Sequence, residues 1–401
     1  MESFYTQVPL TFFEEDAWKK AAGLCKLQGV TKAMIVHGQA TRKTGLADRV
    51  IASFEAMAID VIEWTKVKPD PSYHDINEGG VLARKLGVNA VIGVGGGSAM
   101  DTAKGIYCML GNPDTENVMD HCFGGRGKAK PIKRPMAMLV MIPTTAGTGS
   151  EVSTGAVITD DEIDYKATLG GLQILPNVAL LDPKLDVTMP FNLTAYTAFD
   201  ALTHAIESTL IGGLAHKVKP LMTFNPLTET MGMEAARLIF ANLPTVLEHP
   251  DDVDSRAQIK YAAMLAGIGM CPGGLTLGHG IGQLFGAQWH IPHGLGCALG
   301  LVPAIRQGTK VDHNNRERYA RLAYNLGLTV EGDATMEEIA EQIVEAIEKL
   351  MVIAKIPTVR ELGHTPDEID ALVEAGMKDP LNFVSVTPQE FRAHLEYLFN
   401  K

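Results

Sequence analysis

Short β-branched apolar runs alternate with stretches of helical periodicity through roughly the first 185 residues, the order a parallel α/β sheet requires. Lys32–His37 and residues 89–94 and 136–142 are the clearest strand runs, and residues 45–56 and 76–86 carry helical pattern between them. Beyond Thr194 strand signals nearly vanish. Helix starts are announced there by capping boxes, a Thr followed three residues later by Glu, at Thr335 and Glu338, Thr365 and Glu368, and Thr387 and Glu390. The pattern predicts an N-terminal α/β domain with a Rossmann-like parallel sheet, residues 1–187, and an all-α C-terminal domain, residues 188–401. The boundary falls in 181–190, where two prolines interrupt the periodicity. There is no internal repeat and no low-complexity tract.

Composition narrows the classes. At 401 residues and 46% hydrophobic, the chain can bury large cores. A formal charge of -12 and a pI near 5.5 argue against nucleic-acid binding, which normally leaves a basic face. No stretch reaches the length of an apolar membrane span, and the first residues lack the basic and apolar regions of a signal peptide, so a soluble cytoplasmic protein without a membrane partner is expected. Cys25, Cys108, Cys122, Cys271 and Cys297 are odd in number and scattered, and read as reduced thiols.

Candidate chemistry lies in both halves. Asp200 and His204 are four apart in a helical segment, so one helix aims both at one point. His279 and His293 flank a Gly-rich apolar stretch. Three imidazoles and one carboxylate suit Fe²⁺ or Zn²⁺ better than Ca²⁺ or Mg²⁺, which prefer oxygen shells. Taken singly, each of these residues reads as well as a cap or a surface group. In the first half, Gly95-Gly-Gly-Ser98 follows a strand and opens a helix that carries Asp101 and Lys104. Backbone without side chains lets amide N–H groups and the positive helix end approach a diphosphate. The run is neither the usual Rossmann nor the P-loop fingerprint. A second run, Pro143 to Glu151, also follows a strand, and its Thr144, Thr145 and Thr148 offer neutral hydrogen-bonding groups. Both turns would emerge at the carboxyl edge of the sheet, where open α/β sheets bind ligands.

Together these segments resemble the iron-dependent alcohol dehydrogenase family, whose wider fold group includes glycerol dehydrogenase and dehydroquinate synthase. The resemblance covers nearly the whole chain and rests on Gly95 to Lys104, Ile142 to Glu151, Asp200 with His204, and His279 with Ile291-Pro-His-Gly294. It implies a dinucleotide-binding α/β domain, a helical metal domain, and a cleft between them where hydride passes between a nicotinamide and a small alcohol or aldehyde. It further implies pyrophosphate on Gly95, Gly96, Gly97 and Ser98, with Thr144, Thr145 and Thr148 along the ribose and nicotinamide. Lys166 is implied at a ribose, and Gly38 joins this set. Asp101 either touches the nicotinamide or complements the helix dipole. Asp200, His204, His279 and His293 are the implied metal ligands, for Fe²⁺ or Zn²⁺, and a homodimer or larger homo-oligomer is implied.

Several positions depart from the family pattern. Many relatives have a second histidine four residues after the first of the later pair; here Gln283 stands there, which cannot titrate but can orient a water or a substrate oxygen. His290 is the nearest replacement for proton transfer, so Gln283 and His290 are the catalytic candidates. Pro272, Thr276 and Gly278 also depart, suggesting an altered local pocket. NAD-preferring relatives often place an aspartate after the second strand; His37-Gly38-Gln39 has no acid, while Arg42 and Lys43 follow, which favours NADP(H) over NAD(H). A dehydroquinate-synthase-like lyase is the alternative, but its substrate needs several cations, and 194–210 and 275–294 contain no Lys or Arg. A silent metal-binding protein is a third reading, disfavoured because both cofactor and metal segments are complete. Gln288, Trp289, Cys271 and Met270 either line the substrate pocket or pack as ordinary apolar residues.

Overall fold

The computed structural model describes residues 7–210, 225–311, 315–379, 382 and 386–401. They form two compact units that divide between Val187 and Thr188.

In the first unit the strands are β1 (Leu10–Phe13), β2 (Lys32–His37), β3 (Asp60–Trp64), β4 (Ala90–Gly95), β5 (Cys122–Phe123), β6 (Met138–Pro143), β7 (Gly155–Asp160), β8 (Tyr165–Gly170) and β9 (Val178–Leu181). Six of them make a parallel sheet in the order β1-β9-β6-β4-β2-β3. The helices are α1 (Lys20–Leu27), α2 (Gln39–Lys43), α3 (Leu46–Ala56), α4 (Tyr73–Leu86) and α5 (Gly97–Gly111). A sheet covered on both faces explains the unbroken apolar strand runs. Ile35, Ile92, Val140 and Ile142 pack with Cys25, Val50 and Phe54 of α1 and α3 on one side. Their strand neighbours Met34, Val36, Val91, Leu139 and Met141 pack with Ala83, Met100, Ile106 and Tyr107 of α4 and α5 on the other.

The observed β4 and β6 end one residue later than the apolar runs suggested, and β1, β3 and β9, with only four or five residues each, left no clear pattern. The larger addition is an antiparallel sheet, β5-β8-β7. Its hairpin alternates buried and half-buried positions along β7, with Ala156, Ile158, Ala167 and Leu169 facing a third apolar cluster. The buried Lys104 ties α5 to this sheet, its ammonium donating to Ser153 O (2.9 Å), Ser153 Oγ (3.0 Å) and Gly155 O (2.7 Å). Without those acceptors the buried charge would be costly, so the chain after β6 is fixed against α5.

The second unit is helical: α6 (Phe191–Leu210), α7 (Pro226–Glu248), α8 (Val253–Gly273), α9 (Leu277–Trp289), α10 (His293–Val311), α11 (Arg316–Asn325), α12 (Met336–Ile353), α13 (Ile369–Gly376) and α14 (Pro388–Asn400). Its described residues contain no strand. Capping boxes open α12 at Thr335 and α14 at Thr387, whereas the box at Thr365 first makes a short 3-10 turn, Pro366–Glu368, before α13. From Ala198 to Leu210 every residue of α6 is buried, because α7, α8 and α10 surround it. Among the described residues no single helix is long and apolar enough to cross a membrane.

Candidate functional site

Asp200 and His204 lie one turn apart on α6, and both are buried. Glycines let two further helices approach. A Cβ on Gly294, at the start of α10, would stand 2.2 Å from Tyr196 O of α6. On Gly300 it would stand 2.4 Å from Gly278 O of α9, and on Gly296 2.8 Å from Gly282 O. Any side chain there would push the helices apart, so these positions bring His279 of α9 and His293 of α10 to the face of α6 that carries Asp200.

The result is one cluster. Asp200 Oδ1 is 3.7 Å from His204 Nε2, 3.6 Å from His279 Nε2 and 3.7 Å from His293 Nε2. These lengths exceed a hydrogen bond but approach the ~3.4 Å edge of a tetrahedron whose centre is ~2.1 Å from each donor. Asp200 Oδ1 and His279 Nε2 are buried with no hydrogen-bond partner, as atoms aimed at a shared cation would be. The His204 and His279 rings stack at 4.5 Å, and His293, with 36% of its side chain exposed, closes the outer side. Burial works against ionised Asp200, yet the three imidazoles hold its carboxyl far below the usual range. Burial pushes His204 down to about 4 against the pull of Asp200, which keeps it the neutral ring a metal needs. The residues present therefore fit a divalent transition metal.

Glu207 completes the cage and was missed in the sequence. It lies on α6 seven residues after Asp200 and three after His204, a helical stripe that would have revealed it. Its Oε2 lies 2.7 Å from His279 Nδ1, so that ring donates from Nδ1 and leaves Nε2 for the metal. It also accepts from Gly278 N (2.6 Å), His279 N (3.3 Å), Thr276 N (3.3 Å) and Thr276 Oγ1 (3.1 Å). Burial opposes its charge, and His279 with these N–H groups holds the carboxyl below its ordinary value. The departures at Thr276 and Gly278 thus surround this carboxylate, and a Cβ on Gly278 would sit 3.0 Å from Glu207 Oε1.

In the sheet unit the two Gly-rich turns meet. Thr144 N donates to Gly95 O (2.9 Å). A Cβ on Gly96 would stand 3.3 Å from Thr145 Cγ2, and on Gly97 2.7 Å from Thr148 Cγ2. Gly95, at φ 146°, takes a backbone conformation side chains rarely adopt, and Gly96 caps the amino end of α5. Thr145 Oγ1 is buried there without a hydrogen-bond partner. The turn is thus a cradle of backbone N–H groups at a helix amino end. Ser98 Oγ donates to Pro69 O, and Lys166 pairs with the adjacent Asp70 at 2.7 Å. Asp101 accepts from Ser150 Oγ (2.7 Å) and Val157 N (2.8 Å), holding the second turn to α5, a role beyond both of those its sequence position suggested. Gly38 opens α2 in extended conformation. An acid does reach this corner, from the neighbouring strand: Glu63 of β3 lies 2.8 Å from His37 Nε2 and pairs with Arg42, which also pairs with Asp48. Lys43 is exposed.

Gln283 is half-buried on α9. His290 is exposed at the C-cap of that helix with φ 54°. Trp289 is packed between Phe285 (3.9 Å) and His364 (3.8 Å), and its Nε1 donates to Glu368 Oε2 (3.0 Å).

A parallel sheet with two Gly-rich turns in one unit and a largely buried three-histidine, one-aspartate cluster in the other fit a metal-dependent oxidoreductase. Residues 9–183 match iron-containing alcohol dehydrogenase, and residues 194–396 match the Fe-containing alcohol dehydrogenase family, C-terminal. The chain belongs to the iron-containing alcohol dehydrogenase family. It is 35% identical to choline dehydrogenase of Bacillus subtilis (strain 168), over 88% of this chain and 84% of that one. It is 31% identical to NAD-dependent methanol dehydrogenase of Bacillus methanolicus, over 92% of each. The solved alcohol dehydrogenase from Oenococcus oeni superposes with a TM-score of 0.88 at 28% identity, over 99% of this chain and 100% of that chain. These likenesses give no support to the lyase alternative.

Changing Glu207 to Gln removes the charge that fixes the His279 tautomer. The expected outcome is metal retention weakened by about 10- to 100-fold with the fold intact, measured by chelator competition and metal analysis. Unchanged retention would remove Glu207 from the metal's support.

Proposed function

We propose that this protein interconverts small, largely uncharged alcohols and their aldehydes, exchanging hydride with a soluble nicotinamide. The observation that carries the reading is the convergence of Asp200, His204, His279 and His293 on one point. A divalent ion held there, Fe²⁺ or Zn²⁺, supplies a Lewis acid that eases loss of the alcohol proton and polarises the carbonyl. Asp200 brings the negative charge that retains such an ion, and Glu207 keeps His279 oriented. Gly95, Gly96, Gly97 and Ser98 bind the cofactor diphosphate, with Thr144, Thr145 and Thr148 beside its ribose and ring. The absence of Lys and Arg from 194–210 and 275–294 argues against an anionic substrate. The domain roles follow: residues 1–187 bind dinucleotide, and residues 188–401 bind metal and substrate. The proposed setting is a cytoplasmic homo-oligomer, with five free cysteines in keeping with a reducing compartment.

A screen of short alcohols and aldehydes with both nicotinamides, on metal-stripped and on Fe²⁺- or Zn²⁺-reloaded protein, tests this. Turnover should appear only with metal, and fall about 100-fold or more in Asp200→Ala. Nicotinamide reduction that survives complete metal removal would reject the mechanism.

For the cofactor, the preference we propose is NADP(H), through Lys43 and Arg42, with Glu63 as an opposing element. A 2′-phosphate must compete with Glu63 for the Arg42 guanidinium. Glu63→Gln should therefore raise the ratio of kcat/KM for NADPH over NADH by roughly three- to tenfold. A ratio that stays constant removes the pair from cofactor recognition, and a clear NADH preference in the parent rejects NADP(H).

For the proton, Gln283 orients water or substrate oxygen while His290 exchanges the proton with solvent. Installing a titrating group by Gln283→His should alter the pH profile of kcat at constant metal content. A superimposable profile would take Gln283 out of the proton path.

A further inference from the structure

The cage contains a soft donor beyond the four family ligands. Cys297 lies one turn after His293 on α10 and is fully buried. Its Sγ is 3.5 Å from His293 Nε2 and 4.0 Å from His293 Nδ1. One donor atom from each of Asp200, His279, His293 and Cys297 falls within 4.8 Å of all the others. Helix α9 leaves room for the thiol, since a Cβ on Gly282 would stand 2.8 Å from its sulfur. Two atoms of the same cluster, Asp200 Oδ1 and His279 Nε2, are buried without hydrogen-bond partners, in residues each 2% exposed.

The ordinary role of a buried cysteine is that of a small apolar group. Cys25, Cys108 and Cys122 fit that role, packed in the apolar clusters of the sheet unit. Cys297 faces imidazoles and a carboxylate instead. A nitrogen ~2.1 Å and a sulfur ~2.3 Å from one ion, held as far apart as Cys297 Sγ and His293 Nε2, subtend about 105° at it, an angle a tetrahedral or distorted higher shell accepts.

We propose that Cys297 is a protein ligand of the bound divalent ion, beside Asp200, His279 and His293, the three side chains whose donor atoms it joins within 4.8 Å. The proposal rests on the metal reading above. As the sulfur–metal bond forms, the thiol proton leaves to solvent and the sulfur lone pair is donated, with no change in oxidation state. A thiolate shifts the site toward Zn²⁺, Co²⁺ and Fe²⁺ and away from Mg²⁺ and Mn²⁺.

Cobalt reports the ligand directly. Full-length protein is stripped with a chelator and reloaded with Co²⁺, and spectra are compared for the parent, Cys297→Ser and Cys297→Ala. The parent should show an intense near-ultraviolet sulfur-to-cobalt absorption, lost in both variants while the weaker visible bands of nitrogen- and oxygen-bound Co²⁺ persist. Zinc-loaded parent should show a sulfur neighbour at about 2.3 Å by X-ray absorption, and Zn²⁺ affinity should fall about tenfold or more in Cys297→Ala. Visible bands without the near-ultraviolet band in the parent would overturn the thiolate ligand and leave the histidine–aspartate cage standing. A near-ultraviolet band that survives in both variants would overturn it equally. A parent that takes up no Co²⁺ would overturn the cage and this proposal together.

Discussion

The helical unit depends on one buried carboxylate. Glu207 is fully enclosed on α6, and what stabilises its charge is the amino end of α9, whose backbone N–H groups at Thr276, Gly278 and His279 converge on it. The first N–H groups of a helix have no partners within that helix, and an anion there is favoured by the helix dipole as well. The same carboxylate accepts from the His279 ring, so a single charge caps α9, joins it to α6 and selects the tautomer that leaves Nε2 for the metal. Folding and chemistry are coupled at this point.

The glycines explain why the ligands meet at all. Imidazoles on three helices can share one ion only if the helices cross closely, and side chains at Gly294, Gly296 and Gly300, which would meet backbone, would prevent it. The sheet unit also uses close approach: the missing side chains at Gly96 and Gly97 let Thr145 and Thr148 of the second turn pack against the start of α5. In one unit missing side chains bring helices together; in the other they bring two turns together.

The division into a parallel sheet and a helical unit was legible because long apolar runs and capping boxes are local signals. So were Asp200 and His204, which share a helix turn. The hairpin of β7 and β8 was not, since its half-buried alternation is weak and its partner face is supplied by α5, distant in sequence. Asp101 was singled out in the sequence, but its contacts to Ser150 and Val157 were not, because they are set by tertiary packing. Glu63 was invisible as a neighbour of Arg42 because parallel pairing sets Ile35 opposite Glu63, a register no linear motif encodes. Cys297 looked like any buried thiol until the helices were assembled.

The orphaned donor atoms of the cage give a physical reason for a cation. Asp200 and Glu207 are both enclosed, and the segments that carry the cage, 194–210 and 275–294, contain no Lys or Arg. Isolated buried carboxylates are strongly disfavoured unless paired. His204, held neutral, does not offset them. Against burial, Cys297 and the neighbouring carboxylates raise both His279 and His293, so protonated rings are the alternative balance, at the cost of repulsion between rings whose centroids are 5.6 Å apart. A divalent ion held by the cage would give partners to Asp200 Oδ1 and His279 Nε2, which otherwise have none, while Glu207 is already held by His279 and the N–H groups of α9.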